Sequence, residues 1–242
     1  MMFIIRPIFH SLVKQADIEH RRGILSLLEA NPGAKLLDLG CGNGDFTIKV
    51  AGKIGTNKIS GIDIVESKII EAREQKIEIH KADLNNKLPF ADESFDIIIG
   101  NQVIEHLSDT DIFVREIHRV LKNGGYTIIT TPNLAGIHNI LFLLLGIQPP
   151  NASVSDYYLA GTWTLGEKSL DPVKFQPSHR RLFTLRALEE FLEYYGFEID
   201  KSIGTEYFPL PTLLARVMCL IDKKHATHIT VKARKKLLIK DL

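Results

Sequence analysis

At 242 residues, with 45% hydrophobic and 24% charged side chains, the chain is long enough for one large domain with a full core. Its formal net charge of +1 supplies no overall field to draw it to nucleic acid, and no nucleic-acid partner is expected. Two cysteines, Cys41 and Cys219, are too few for a disulfide framework or a cysteine-based zinc site, and they suit a reducing, cytoplasmic setting.

The opening MMFIIRPIFHSLVK is apolar in patches, but Arg6, Pro7 and His10 interrupt it and no secretory cleavage site follows. Residues 8–30 carry apolar side chains at helical spacing, from Ile8, Leu12 and Ile18 to Ile24, Leu25, Leu27 and Leu28, until Asn31-Pro32-Gly33 stops the helix. Lys35 to Leu39 is short and apolar and runs straight into glycines, which predicts a buried parallel strand. A helix is predicted over 45–53, a strand over Lys58–Ile64, a helix over Glu66–Glu74 and an alternating strand over Ile77–Lys81. Phe95–Gly100, with Ile97-Ile98-Ile99, reads as a fully buried fourth strand. Asp109–Leu121 is amphipathic and is closed by Asn123-Gly124-Gly125, and Tyr126–Thr130 is a fifth strand. Five strands alternating with helices predict a doubly wound α/β sheet.

After Thr131 the rhythm changes. Residues 132–181 show no strand pattern but hold the apolar run Ile140–Ile147, Pro149-Pro150 and the aromatics Tyr157, Tyr158, Trp163 and Phe175. The apolar run is too short to cross a bilayer, which needs about 20 residues, so it reads as a buried or interfacial helix. A break of this length is expected to be an insertion or lid. Thr184–Tyr195 is a helix ended by Gly196, Phe197–Ser202 a strand, Pro211–Ile221 a short helix and His228–Ala233 a last strand. The basic tail, with Lys232, Arg234, Lys235, Lys236 and Lys240, reads as a solvated terminus; with the apolar helix near Leu213–Ile221 it offers contact with an anionic membrane surface.

The sharpest motif is Leu36-Leu37-Asp38-Leu39-Gly40-Cys41-Gly42-Asn43-Gly44-Asp45-Phe46, a strand entering Gly-x-Gly-x-Gly and then a helix. Glycines allow a tight turn and close approach of a ligand, and the helix start offers free N–H groups. A dinucleotide loop reads G-x-G-x-x-G. Here Gly44 comes one place early and Asp45 stands where that pattern wants glycine, which suits a zwitterionic sulfonium better than a diphosphate. A plain structural turn is the alternative. Asp63 ends the second strand 19 residues after Gly44, a place from which a carboxylate accepts ribose hydroxyls.

Four stretches occur in order: LLDLGCGNGDF, GIDI, KADLNNKLPFADESFDIIIGNQVIEHL and LKNGGYTIITTPN. With them the chain resembles the class I S-adenosylmethionine-dependent methyltransferases over residues 20–131, and within these the small-molecule branch that includes ubiquinone-biosynthesis methyltransferases. HRRLFTLRALEEFLEYYGFEI continues the resemblance more loosely. The resemblance implies a Rossmann-like, doubly wound seven-stranded sheet whose last strand is antiparallel, in one methyltransferase domain. Its parts are an N-terminal helical cap (1–33), a cofactor-binding core (34–131), an insertion or lid (132–181) and a C-terminal helix and strand pair (182–242). It implies S-adenosylmethionine as cofactor. Gly40, Cys41, Gly42 and Gly44 would line the methionine part with Asp38 nearby, Asp63 would take the ribose, and Ile64 would pack on adenine. Asp83 and the Leu84 backbone would meet the adenine amino group, and Asn101 and Gln102 would border the transferred methyl.

Methyl transfer from a sulfonium expels a neutral thioether, so rate comes from alignment, and a base is needed only for a protonated acceptor. His106 and His179 are the candidate bases, each with a structural alternative; the Glu105–His106 pair would otherwise cap the next helix. Some relatives carry Glu-x-x-Glu-His as a metal site, but Gln102 replaces the first carboxylate, so no metal is expected. His138 and Tyr157 are further candidates for the site mouth, and Arg180 and Arg181 either bind an anionic acceptor or are solvated. The acceptor is an unidentified small molecule, lipid or glycan. Rival readings are a non-catalytic S-adenosylmethionine-binding protein and an NAD-dependent oxidoreductase.

Overall fold

A computed structural model describes residues 15–155, 160–162 and 179–236. In chain order its elements are helix α1 (15–26), β1 (Lys35–Leu39), α2 (Asp45–Ile54), β2 (Lys58–Asp63), α3 (Glu66–Glu74), β3 (Glu78–Lys81), β4 (Phe95–Asn101), α4 (Thr110–Val120), β5 (Leu121–Pro132), α5 (Ile137–Leu144), α6 (Leu185–Tyr194), β6 (Phe197–Thr205), α7 (Thr212–Ile221) and β7 (His228–Lys235). The seven strands form one sheet in the order β3-β2-β1-β4-β5-β7-β6. All neighbours run parallel except β7, which is antiparallel to both β5 and β6. The predicted seven-stranded α/β sheet with an antiparallel last strand is therefore the fold.

Both faces of the sheet are covered, which is why its central strands read as continuous apolar runs. Alternate residues of one strand serve opposite cores. Leu36, Ile97 and Ile99 pack with Ile24 of α1 and with Phe46, Val50 and Ile54 of α2. Leu37, Leu39 and Ile98 pack on the other side with Phe113, Val114 and Ile117 of α4 and with Leu188 and Leu192 of α6. Two helix starts are capped by side chains: Asp109 accepts the Ile112 N–H and Thr184 accepts the Ala187 N–H.

The structure departs from the sequence pattern where partners decide the outcome. Helix α1 ends at residue 26 rather than 30, because Leu27 and Leu28 leave the helix to fill the α1–α2 core. Helix α4 is not closed by Asn123-Gly124-Gly125; it ends at Val120, and Leu121 already pairs with Phe95 as the start of a twelve-residue β5. The apolar run Ile140–Ile147 is not buried: in α5 the buried residue is Asn139, and Leu143, Leu144 and Leu145 face outward. Nor are the lysines of β7 solvated. Lys232 is buried, pairs with Glu29 and lies 4.2 Å from the centroid of the Tyr126 ring, while buried Lys235 donates to the Leu121 carbonyl at 2.8 Å. Pairing with β5 and β6 draws these stems under the sheet edge, where only their charged heads need partners. The expected helix over 8–14 and the residues Tyr157, Tyr158, Trp163, Phe175 and Lys240 lie outside the described residues. Among the described residues, no helix is long and apolar enough to cross a membrane.

Candidate functional site

Strand order reverses between β1 and β4, and open α/β sheets bind ligands in the crevice at such a point, beyond the strands' carboxyl ends. The glycine loop leaves β1 here, and Asn101-Gln102 leaves β4 beside it, with Asp38 in register with Ile99 and Leu39 with Gly100. Gly40, Gly42 and Gly44 all have positive φ (73°, 56° and 84°). At Gly40 and Gly44 glycine is also needed for packing: an added Cβ would lie 2.5 Å from a Val103 methyl and 2.5 Å from the Ile77 Cδ1. Gly42 differs, for its Cβ direction is open space. It thus presents bare backbone to a ligand. Replacing Gly44 by alanine combines a left-handed backbone with that clash and is expected to destabilise the fold by about 1–3 kcal/mol. Urea denaturation reads this directly; an unshifted midpoint would show that the loop carries no such constraint.

Asp63 ties the loop to β2. One carboxylate oxygen accepts the Gly42 N–H at 2.8 Å and the other the Val65 N–H at 2.9 Å. The Gly40 and Cys41 N–H groups donate to the Ile62 carbonyl, which finishes the turn. Asp38 lies beneath, buried, and receives the Thr47 hydroxyl at 2.6 Å. Burial pushes its carboxyl up to about 7 against the pull of Thr47, and Asp63 adds repulsion. No cation pairs with it among the described residues, so a ligand ammonium fits the site electrostatically. The Cys41 thiol packs beneath Gly61, and burial pushes it up to about 12, which removes it as a nucleophile. Ile64 stands exposed beside Asp63. Beside Asp63 and past the end of β3, the Ala82 N–H reaches the Asp63 carbonyl, Asp83 accepts from the Asn85 backbone and side-chain amides, and Leu84 turns its side chain into the core. The residues expected around a nucleoside therefore line one edge.

At the β4 end, Asn101 and Gln102 converge on Thr130. The Asn101 Oδ1 accepts from the Thr130 hydroxyl at 3.0 Å and from His20 Nε2 at 2.9 Å, and the Gln102 amide donates to Thr130 Oγ1 at 3.0 Å. Gln102 itself has φ 56°, a left-handed backbone that side chains seldom adopt. His20, from α1, is a site residue that sequence reasoning missed. Its ring also meets Thr205 and packs 4.9 Å from the ring of His228, and burial together with His228 holds it down at about 3, so it is neutral. His228 in turn faces Glu206 at 3.4 Å. The only sequence signal was a polar residue on the apolar face of the first helix.

Glu105, His106 and His179 form a second cluster. The backbone carbonyl of Glu105 accepts the N–H groups of Arg180 and Arg181, which brings the end of the 132–181 segment onto the 104–106 turn. The His106 and His179 rings are 5.0 Å apart, edge to face, and His179 Nδ1 meets the Asn151 carbonyl at 3.0 Å. Burial lowers the His179 pKa, and His106 adds to the effect. The Glu105 side chain is 0% exposed and lies 4.0 Å from His106. Burial pushes its carboxyl up to about 7; the Thr131 hydroxyl is near enough to oppose this without reaching hydrogen-bond geometry. Asp109, not the Glu105–His106 pair, caps α4, so the capping alternative falls. One ligand atom from each of the three side chains lies within 4.8 Å of the others, a set able to hold a divalent ion although Gln102 stands apart from it. Arg180 and Arg181 spend their side chains on Ser108. His138 packs against Phe142 and Phe208, and burial holds it down at about 4.

The chain resembles proteins of known kind over this same region. It is 29% identical over 177 residues to a probable S-adenosylmethionine-dependent methyltransferase of Mycolicibacterium smegmatis, covering 71% of this chain and 55% of the relative. It is 29% identical over 186 residues to the mitochondrial ubiquinone biosynthesis O-methyltransferase of Rattus norvegicus, covering 73% and 48%. The chain thus spans about half the length of the curated relatives it matches. Among solved structures, a Thermotoga maritima protein described as an S-adenosylmethionine-dependent methyltransferase, possible histamine N-methyltransferase, superposes with a TM-score of 0.63 at 19% identity, covering 97% of each chain. The glycine loop, the Asp63 tether and the β4 end all fall within residues 30–163, which match the model of a methyltransferase domain, and the chain belongs to that family.

Proposed function

We propose that this chain transfers the methyl group of S-adenosylmethionine to a small acceptor held at the carboxyl edge of the sheet, between the β4 end and the 104–106 turn. The observation that carries the reading is the Gly42 position, whose N–H is fixed by Asp63 while its Cα faces open space. Bound there, the cofactor supplies a methyl on a sulfonium that leaves as a neutral thioether, so no residue need act as an acid. Asp63 accepts the ribose hydroxyls with lone pairs its two backbone bonds leave over, Ile64 covers one face of the adenine, and Asp83 with the Leu84 backbone meets its amino group. Gly40, Cys41, Gly42 and Gly44 surround the methionine part, and Asp38 offsets its ammonium. Asn101 and Gln102, immobilised through Thr130, set the border between cofactor and acceptor. Titration calorimetry tests the reading: S-adenosylmethionine and S-adenosylhomocysteine bind and NAD does not. NAD binding without the adenosyl ligands would transfer the site to the dehydrogenase class.

The likeness to the rat ubiquinone biosynthesis enzyme favours a hydroxyl on an apolar ring as the nucleophile. His106 takes that proton, and His179 holds the His106 ring in place from the 132–181 segment, which shapes the acceptor side as a lid. The reaction needs no metal on this reading. His106→Gln is expected to slow methyl transfer to a dihydroxybenzoate probe by about a hundredfold, with cofactor affinity unchanged. Full turnover by that variant would reduce the histidine pair to a packing role. The two free thiols suit a reducing, cytoplasmic setting.

A further inference from the structure

The start of α5 and the helix α7 meet at one small cluster, for Ile137 of α5 packs on Tyr207, Ala215 and Ala226, which also take Met218 and Cys219 of α7. Each is anchored by little: Ala215 is the one buried residue of α7, and Asn139 of α5. The remaining faces are apolar and open. In α7, Leu213, Leu214, Val217, Leu220 and Ile221 are exposed, Leu220 to 88%. In and just beyond α5, Leu141, Leu143, Leu144 and Leu145 are exposed, Leu144 to 77%. Nine large apolar side chains in and just beyond two helices that meet at one cluster exceed the scattered exposure of an ordinary surface.

The charge around this patch is one-sided. Residues 132–155 contain no charged side chain other than histidine, and 207–221 contain Arg216 and no carboxylate. Arg216 is engaged by Glu19 of α1. Lys223 and Lys224 follow α7 after Asp222, which faces the Tyr207 hydroxyl and His225. An isologous contact between two copies would set the lysine pair of each copy near a patch whose carboxylates, Glu19 and Asp222, are already engaged by Arg216 and by Tyr207 and His225. A layer of anionic headgroups over hydrocarbon answers both the lysines and the leucines. Neither helix is long enough to span a bilayer, so both would lie in the interface.

The geometry points to the α5–α7 face as a docking surface for an anionic lipid bilayer. A cavity of about 580 Å³ between α1, β6 and α7 has Leu220 of this face in its lining and reaches Thr205 and Glu206 at the sheet edge. Thr205 bonds His20, which bonds Asn101.

Co-sedimentation of the full chain with vesicles tests the docking surface without acceptor or cofactor. The chain is expected to pellet with phosphatidylcholine vesicles containing phosphatidylglycerol, and weakly with phosphatidylcholine alone. A Leu144→Glu, Ile221→Glu chain should lose binding by about tenfold or more. A Lys223→Glu, Lys224→Glu chain should lose it by about tenfold, and high salt should do the same to the parent. Circular dichroism and calorimetric cofactor affinity confirm that each variant is folded. A parent that stays in the supernatant with both vesicle types overturns the proposal, as does undiminished binding by the Leu144→Glu, Ile221→Glu chain. A parent dimer that this variant splits, seen by light scattering without vesicle binding, gives the face to a second copy and also overturns it. Failure here leaves the cofactor reading intact, because the titration with S-adenosylmethionine is a separate measurement.

Discussion

An Asp63→Ala chain is expected to bind S-adenosylmethionine about a hundredfold more weakly than the parent, the loss of roughly 3 kcal/mol. Two effects add. The carboxylate is the tether that fixes the Gly42 N–H and the start of the next helix, through bonds of 2.8 and 2.9 Å, and hydrogen bonds to a charged acceptor are the stronger kind. It is also the acceptor assigned to the ribose hydroxyls, so its removal costs direct contacts as well as loop order. Asp63→Asn separates the two, since an amide oxygen can keep one backbone bond but its NH₂ cannot accept a second. Calorimetry should rank the affinities parent, then asparagine, then alanine. Equal affinity for parent and alanine chain would remove Asp63 from the cofactor site.

The second large effect concerns stability and pH. Glu105 is fully buried, and burial raises its carboxyl from an ordinary 4.5 to about 7. The folded chain therefore holds this proton where the unfolded chain has released it. Between about pH 4.5 and 7 the folded state binds more protons than the unfolded one, so this group lowers stability as pH rises. The full penalty, about 3 kcal/mol, is present above pH 7 and absent below 4.5. Glu105→Gln keeps the shape without the charge. Denaturation in the presence of a chelator should find it more stable than the parent by about 2–3 kcal/mol near pH 8, and close to the parent near pH 4.5. Asp38 is raised in the same direction in both chains and cancels from the comparison. A glutamine chain that is less stable at high pH would show that the Glu105 charge is compensated within the fold.

Much of the site was legible in the chain because it is built from local backbone demands. Positive φ at Gly40, Gly42 and Gly44 favours glycine, and a strand that ends in a carboxylate two residues from a helix leaves Asp63 at the crevice. Such features live within a few residues of each other and survive in the order of the letters. The His106–His179 contact does not, since 73 positions separate the two residues and tertiary bonds, such as those from Arg180 and Arg181 to the Glu105 carbonyl, bring them together. His20 is the same case: from the helix pattern it is a polar interruption, and packing makes it the link between Asn101 and Thr205.

The contrast extends to the fold. By itself the sequence determined that strands and helices alternate, that the central strands are buried on both faces, and that a glycine loop follows the first of them; hydrophobic period and glycine placement suffice for that. Only the tertiary structure decided where β5 begins, which lysines are buried and which leucines are not. Leu121 is a helix end or a strand start depending on Phe95 opposite it. Lys232 is a solvated tail residue or a buried one depending on Glu29 and Tyr126. Leu144 and Leu220 are as apolar as any core residue, yet both are largely exposed, and no described residue buries them. Burial is a property of what lies opposite, and for these residues the opposite partner comes from a distant part of the chain or from outside it.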